Sequence, residues 1–97
     1  METTVRQVEG EYVFKIKKDS NVRKVATAVV GELNSKGAVR LQGIGAGAIN
    51  QMSKIAVHAR GEVARGGKDL IIRPGMFNEI GSDGNELTVI IFNVSLV

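Results

Sequence analysis

The first regular pattern along the chain is an alternation with a period of two residues. Tyr12, Phe14 and Ile16 fall on one side of an extended segment. Such alternation is typical of a half-buried β-strand. Residues 1–10 alternate only weakly and end in a glycine, so we interpret them as an N-terminal extension that precedes a single domain over residues 11–97.

A helical pattern follows this first strand. Asp19, Ser20 and Asn21 have side chains that cap helix N-termini, and Gly37 is a residue that ends helices. Between them, apolar residues recur at helical spacing: Val22, Val25, Ala26, Val29 and Leu33. The spacing predicts a first helix that ends at Gly37.

The next segment repeats this order of strand and helix. Residues 38–42 are typical of a short strand, and residues 43–47 form a glycine-rich turn. A second helical pattern then ends at Gly66 and Gly67. Its predicted core side is formed by Ala48, Ile49, Met52, Ala56, Ala59 and Val63, and its polar side by Asn50, Lys54, His58 and Arg65.

The last third of the chain predicts a β-hairpin. Residues 70–72 and 87–97 are apolar and rich in β-branched side chains, and residues 81–85 have the composition of a tight turn. Pro74 cannot donate to a ladder, so the third strand is expected to lie at an edge or to carry a bulge at Pro74–Gly75.

The predicted order of elements is therefore βαβαββ. Two right-handed crossovers in the same direction place both helices on one face of the sheet. The sequence predicts an α/β fold, a two-layer sandwich in which a four-stranded mixed sheet of order 1-2-4-3 carries two helices on one face. The other face is expected to be solvated or paired with another chain.

Composition limits the chemistry. The chain has 97 residues, 43% of them hydrophobic, and no cysteine, which excludes disulfides, thiolate zinc sites and cysteine nucleophiles. His58 is the single histidine, and no carboxylate pair, Ser-His-Asp arrangement or metal-ligand spacing occurs. We expect no enzymatic activity, no cofactor and no metal. No apolar run approaches the roughly 20 residues of a membrane span, so we expect a cytoplasmic protein without a membrane partner.

Charge is distributed unevenly along the chain. The formal net charge is +3, but basic side chains crowd the start of the first helix, at Lys17, Lys18, Arg23 and Lys24. The positive end of the helix dipole disfavours cations there. A bound phosphate would neutralise these side chains and accept hydrogen bonds from backbone N–H groups. This favours phosphate contact, and the alternative is a solvated basic loop.

The glycine-rich turn has two possible roles. Residues 43–48 satisfy the G-x-G-x-x-A spacing of dinucleotide-binding proteins, but the turn follows the second strand and the chain is too short for a doubly wound sheet. Tight turning and close helix packing explain the glycines better. The N–H groups of Gly45, Ala46 and Gly47 also suit a phosphate. Asn50, Gln51 and Lys54 are further candidate contacts, and the alternative for these three is a polar helix face.

The chain resembles a known family over residues 12–94. The resemblance rests on Ile44–Gln51 with the helix after it, on Asp69–Ile71 and on the hairpin at Asp83 and Gly84. These segments are similar to the stage V sporulation protein S family, which is similar in fold to the Alba superfamily of nucleic-acid-binding proteins. The resemblance implies a small DNA- or RNA-binding protein associated with developmental regulation.

Two departures from the Alba pattern bear on this. Alba proteins typically have basic residues in the turn before the second helix and on the hairpin arm. This chain has glycine and alanine in the turn, and Asp83 and Glu86 in the arm. The acidic arm argues against its insertion into a groove.

We therefore predict a non-enzymatic nucleic-acid-binding protein of low sequence specificity that forms a homodimer or larger homo-oligomer. The predicted contacts are Lys17, Lys18, Arg23, Lys24, Gly45, Ala46, Gly47, Asn50, Gln51 and Lys54. The alternative is a protein–protein interaction or regulatory scaffold that self-associates through its sheet.

Overall fold

A computed structural model gives the structure of the protein and describes residues 4–8 and 11–97. Five strands and two helices make up the described part of the chain. In chain order they are β1 (Thr4–Val8), β2 (Glu11–Ile16), α1 (Val22–Lys36), β3 (Ala38–Gly43), α2 (Ala46–Ala64), β4 (Leu70–Ile80) and β5 (Glu86–Leu96).

The strands form one sheet in the order β1-β2-β3-β5-β4. β2 and β3 are parallel, and the other neighbouring pairs are antiparallel. The four predicted strands correspond to β2, β3, β4 and β5, and their spatial order confirms the predicted two-layer α/β fold. β1 adds a fifth strand beside β2.

The termini of α1 follow from its sequence. Asn21 is the N-cap, and its side-chain oxygen accepts a hydrogen bond of 3.0 Å from the backbone N–H of Lys24. Gly37 ends the helix in the left-handed region, at φ +84°, and its N–H donates to the Leu33 carbonyl. Asn21 is one of the three capping candidates in the sequence, and Gly37 is the residue predicted to end the helix.

Both helices pack on the same face of the sheet. Phe14, Leu41 and Val94 from the strands meet Leu33 from α1 and Met52 from α2 in one buried cluster. Each fully buried side chain of this size contributes about 1.5–3 kcal/mol relative to exposure. This core fixes the start of each helix relative to the sheet, which matters for the site described below.

The structure corrects the predicted length of the third predicted strand. β4 continues past residue 72 and past Pro74 to Ile80, in uninterrupted register with β5 from the Leu70–Leu96 pair to the Ile80–Glu86 pair. There is no bulge within this described ladder. Pro74 is tolerated because β4 is the terminal strand of the sheet. Of the two expected alternatives, an edge strand or a bulge, the edge strand is therefore correct.

The direction of the backbone groups of β4 explains this tolerance further. Asp69 and Val97 exchange hydrogen bonds of 3.3 and 2.9 Å, and the N–H of Gly81 donates to Asn85. In an antiparallel ladder successive residues face opposite sides, so odd-numbered residues of β4 face β5 and even-numbered residues face outward. The missing N–H of Pro74 therefore lies on the outer edge.

An ion pair connects α2 to the start of β4. Arg60 Nε lies 2.8 Å from Asp69 Oδ1, and the same oxygen accepts a bond of 2.7 Å from the N–H of Leu70. The hydrogen bond from Arg60 and then that from the Leu70 backbone hold the pKa of Asp69 below its ordinary value. The charged carboxylate is thus the form that the folded state prefers.

The variant Asp69→Asn tests this link through acid stability. Because the pKa of Asp69 is lowered in the folded state, its contribution is complete above the ordinary value of 3.8 and is lost as the pH falls through the folded-state pKa. The wild type should be more stable than the variant at neutral pH and should lose that advantage in acid. Urea unfolding of both proteins measures this, and a difference that does not change with pH would contradict it.

Candidate functional site

The parallel pairing of β2 and β3 brings two loops to one edge of the sheet. Residues 17–21 connect β2 to α1, and residues 44–45 connect β3 to α2. Parallel neighbours end at the same edge, so both loops and the N-termini of both helices lie there. Both positive helix ends therefore face the same region.

The loop before α1 is held by a buried serine. Ser20 is 2% exposed, and its Oγ accepts a hydrogen bond of 2.9 Å from the N–H of Lys17. The Ser20 carbonyl accepts a bond of 2.9 Å from the side-chain amide of Gln51 on α2. Gln51 thereby positions the loop, and this contact uses the donor that the sequence analysis assigned to a ligand.

The turn before α2 has an open helix N-terminus. Gly45 is the N-cap at φ +88°, and no side chain caps this helix. Gly47 lies against the loop before α1, since a Cβ added to it would stand 2.8 Å from Cβ of Lys18. The two loops are therefore in contact, and the first backbone N–H groups of α2 are left for another acceptor.

These loops border a cleft of about 440 Å³. β5 begins at Glu86, although β3 pairs only with its residues 90–95, so the hairpin projects beyond the end of β3 and forms the opposite wall. The cleft is lined by Lys15, Ile16, Lys17, Lys18, Gln42, Gly43, Ile44, Gly45, Gly47, Ala48, Glu79 and Val89.

The structure separates the predicted contacts into three places. Lys17 and Lys18 border the cleft together with Gly45 and Gly47. Arg23 lies in a second groove, of about 200 Å³, between the two helices. The remaining predicted residues are on the helices: Lys24 in the first turn of α1, Ala46, Asn50 and Lys54 on exposed positions of α2, and the half-buried Gln51, whose amide donates to Ser20.

The four predicted cations at the start of α1 form no ion pair, although Glu79 lines the cleft with Lys17 and Lys18, and Glu62 lines the groove of Arg23. Among residues 12–97, whose side chains the structure describes, no acidic side chain forms an ion pair with Lys17, Lys18, Arg23 or Lys24. The ion pairs of α2, Arg60 with Asp69 and Arg65 with Glu62, involve its second half. The beginning of the two helices is therefore the end that attracts an anion.

The arrangement suits binding of an anion. It combines two lysines, open backbone N–H groups and the positive end of α2, which together match a phosphate. In the part of the chain that the structure describes, no three histidine or acidic side chains group as metal ligands. In that same part, no helix is long and apolar enough to cross a bilayer.

Sequence reasoning missed Lys15 and Gln42, which lie side by side on β2 and β3 and line the cleft. Glu79 and Val89 on the hairpin were missed as well. A polar glutamine in the strand before a glycine-rich turn was the available signal. The contribution of the hairpin depends on register, which periodicity does not reveal.

Comparisons with known proteins agree with this fold. The family model of stage V sporulation protein S matches residues 12–97. Among solved structures, Alba from Thermoplasma volcanium is similar, with a TM-score of 0.61 and 16% sequence identity. The match covers 86% of this chain and 98% of the Alba chain. At this identity the likeness concerns the fold.

The variant Gly47→Ala tests the close approach of the two loops. Its Cβ would stand 2.8 Å from the Cβ of Lys18, so the loop before α1 must shift. We expect a loss of about 1–3 kcal/mol in the free energy of unfolding. The control is Gly61→Ala on the same helix, where nothing lies within 4 Å of the added Cβ and a gain of up to about 1 kcal/mol is expected. Urea unfolding measures both, and equal effects would refute the close contact.

Proposed function

The chain belongs to the stage V sporulation protein S family, and on that premise we propose that it is a nucleic-acid-binding protein of low sequence specificity that acts in sporulation-related or developmental regulation. The family and its Alba-like fold are of a non-enzymatic kind. We propose accordingly that the chain binds DNA or RNA and catalyses no reaction.

The observation that carries this proposal is the open N-terminus of α2 beside two lysines. A backbone phosphate placed at Gly45 and Gly47 would accept hydrogen bonds from the open N–H groups of the first turn of α2. It would also face Lys17 and Lys18. Such contacts position a nucleic acid without reading its sequence. The low specificity that we propose follows from this mode of contact.

Further phosphates would contact exposed cations on the two helices. Lys24 lies in the first turn of α1 and Lys54 on the surface of α2. Arg23, in the groove between the helices, and Asn50, on α2, extend the same surface in this proposal. Engagement of Lys17, Lys18, Arg23 and Lys24 together gives an expected slope of log affinity against log salt of about −3 to −4.

The double variant Lys17→Gln/Lys18→Gln tests the proposed contact. Loss of two phosphate contacts should weaken binding by about one order of magnitude and make the salt slope shallower by roughly 1.4–1.8. Fluorescence anisotropy with labelled single- and double-stranded DNA and RNA at several salt concentrations measures both quantities and identifies the preferred nucleic acid.

The matched control is Arg65→Gln/Lys68→Gln, which removes the same charge near the opposite end of α2. Both residues are exposed there. This variant should keep the wild-type salt slope, because its cations are remote from the cleft. Equal slopes for the two double variants would refute the assignment of the contact to the loop before α1.

A second candidate function is self-association through β4, which would produce the predicted homodimer. β4 is the terminal strand, and its outward N–H and C=O groups have no neighbouring strand in the described sheet. Met76 and Ile80 are each 68% exposed. An apolar groove of about 510 Å³, lined in part by Val57 and Ile72, runs beside the same strand. Exposed apolar edges of this kind pair with other chains.

One register of antiparallel pairing between two copies satisfies the side chains of β4. With Met76 opposite Met76 of the second copy, Arg73 faces Glu79 and Ile72 faces Ile80. Residues directly opposite one another in an antiparallel pair point to the same face of the sheet, so these side chains can contact each other. The pairing residues are the even-numbered ones, whose backbone groups face outward, and Pro74 costs one donor per chain. We propose that two copies pair in this register.

A charge exchange tests this register. In this register Arg73 of each copy faces Glu79 of the other copy. Arg73→Glu or Glu79→Arg alone therefore creates two pairs of like charges in the dimer, which should weaken association by roughly tenfold. The double variant restores opposite charges and should recover wild-type association. Sedimentation equilibrium measures all four proteins. A folded double variant that associates no better than the single variants would eliminate this register.

A further inference from the structure

Gln42 is a buried polar side chain without a partner. It is 7% exposed, yet no described residue hydrogen-bonds to its side-chain amide. The fully buried side-chain atoms that lack a hydrogen bond do not include this amide, so its polar atoms keep some contact with solvent. This amide borders the cleft. It therefore presents one donor group and one acceptor to whatever enters the cleft.

The cleft is chemically different at its two sides. Lys17, Lys18 and the open first turn of α2 make one side cationic. Gln42 lies between Lys15 on β2 and the hairpin strand β5, which contributes the apolar side chain of Val89 to the lining. The hairpin wall also carries the carboxylate of Glu79, which directs an anionic group toward the lysines.

A ligand that matches this arrangement has a phosphate at one end and a flat ring with polar edges at the other. The volume of about 440 Å³ is larger than a phosphate requires and falls within the usual range of small-molecule sites. A glutamine amide forms two hydrogen bonds with adenine, through N6 and N7. These features describe an adenine nucleotide better than inorganic phosphate or a sugar phosphate.

We infer that the cleft binds a single nucleotide unit, with its phosphate between Lys17, Lys18 and the start of α2 and its base on the amide of Gln42. This inference rests on the proposed function and extends it. Gln42 is 7% exposed within the cleft, so a base must leave the stack of a duplex to reach it, and the cleft therefore selects single-stranded nucleic acid or a strand end. A free nucleotide has the same chemistry and fits the same site.

Titration of the whole protein with adenosine 5′-monophosphate, followed by ¹⁵N–¹H NMR, tests the inference. The side-chain NH₂ resonances of Gln42 and the backbone amides of Gly45 and Gly47 should shift together. Ribose 5-phosphate should shift the two glycine amides and leave the Gln42 side chain unchanged. Absence of a response at Gln42 to adenosine 5′-monophosphate would overturn the inference, and this measurement needs no variant.

The variant Gln42→Leu provides a second test. It should bind adenosine 5′-monophosphate about tenfold more weakly than the wild type, with ribose 5-phosphate binding unchanged. Lys17→Gln/Lys18→Gln should weaken both ligands. A folded Gln42→Leu protein with wild-type affinity for adenosine 5′-monophosphate would also overturn the inference.

Oligonucleotides separate this inference from the proposed function. If a single-stranded oligoadenylate binds through Lys17 and Lys18 but neither it nor the mononucleotide shifts Gln42, the inference fails and the proposed function stands. If the mononucleotide shifts Gln42 and no oligonucleotide binds, the proposed function fails and the cleft is a site for a free nucleotide. If both bind, a preference for the single strand over its duplex supports the inference.

Discussion

The parallel pairing of β2 with β3 is the constraint on which the site depends. It directs both strands to the same edge, so the loops that follow them meet and both helices begin there. Helix dipoles, backbone donors and the lysines of the first loop are thereby concentrated in one region. The core beneath, from Phe14 to Met52, holds this arrangement because it fixes both helices on one face.

The local part of this structure could be predicted from the sequence. The cap at Asn21, the stop at Gly37 and the core positions of α1 follow from side-chain chemistry and helical spacing, which act within a few residues. The strand order followed from crossover handedness and from Pro74. The extension of β4 to Ile80 could not be predicted, because it depends on pairing with β5 and on the side of the strand that Pro74 faces.

The candidate site was predictable in part, for the same reason. Clustering of lysines and glycines is visible in the chain, and the structure brings Lys17, Lys18, Gly45 and Gly47 to one cleft. Arg23 lies in another groove, because its position on the face of α1 directs it toward α2 rather than toward the cleft. The bond from the Gln51 amide to Ser20 could not be predicted from the sequence, because it depends on where α2 lies relative to the loop before α1.

β4 runs in the same direction as β2 and β3, because two antiparallel pairings separate it from β3. Any antiparallel joining of two β4 edges therefore turns the cleft-bearing ends of the two copies, where we propose that phosphates bind, away from each other. Such a joined pair could not lay both ends along one short stretch of a strand. It would instead tether two separate segments, which is the geometry of a cross-linker that compacts or holds together a long polymer.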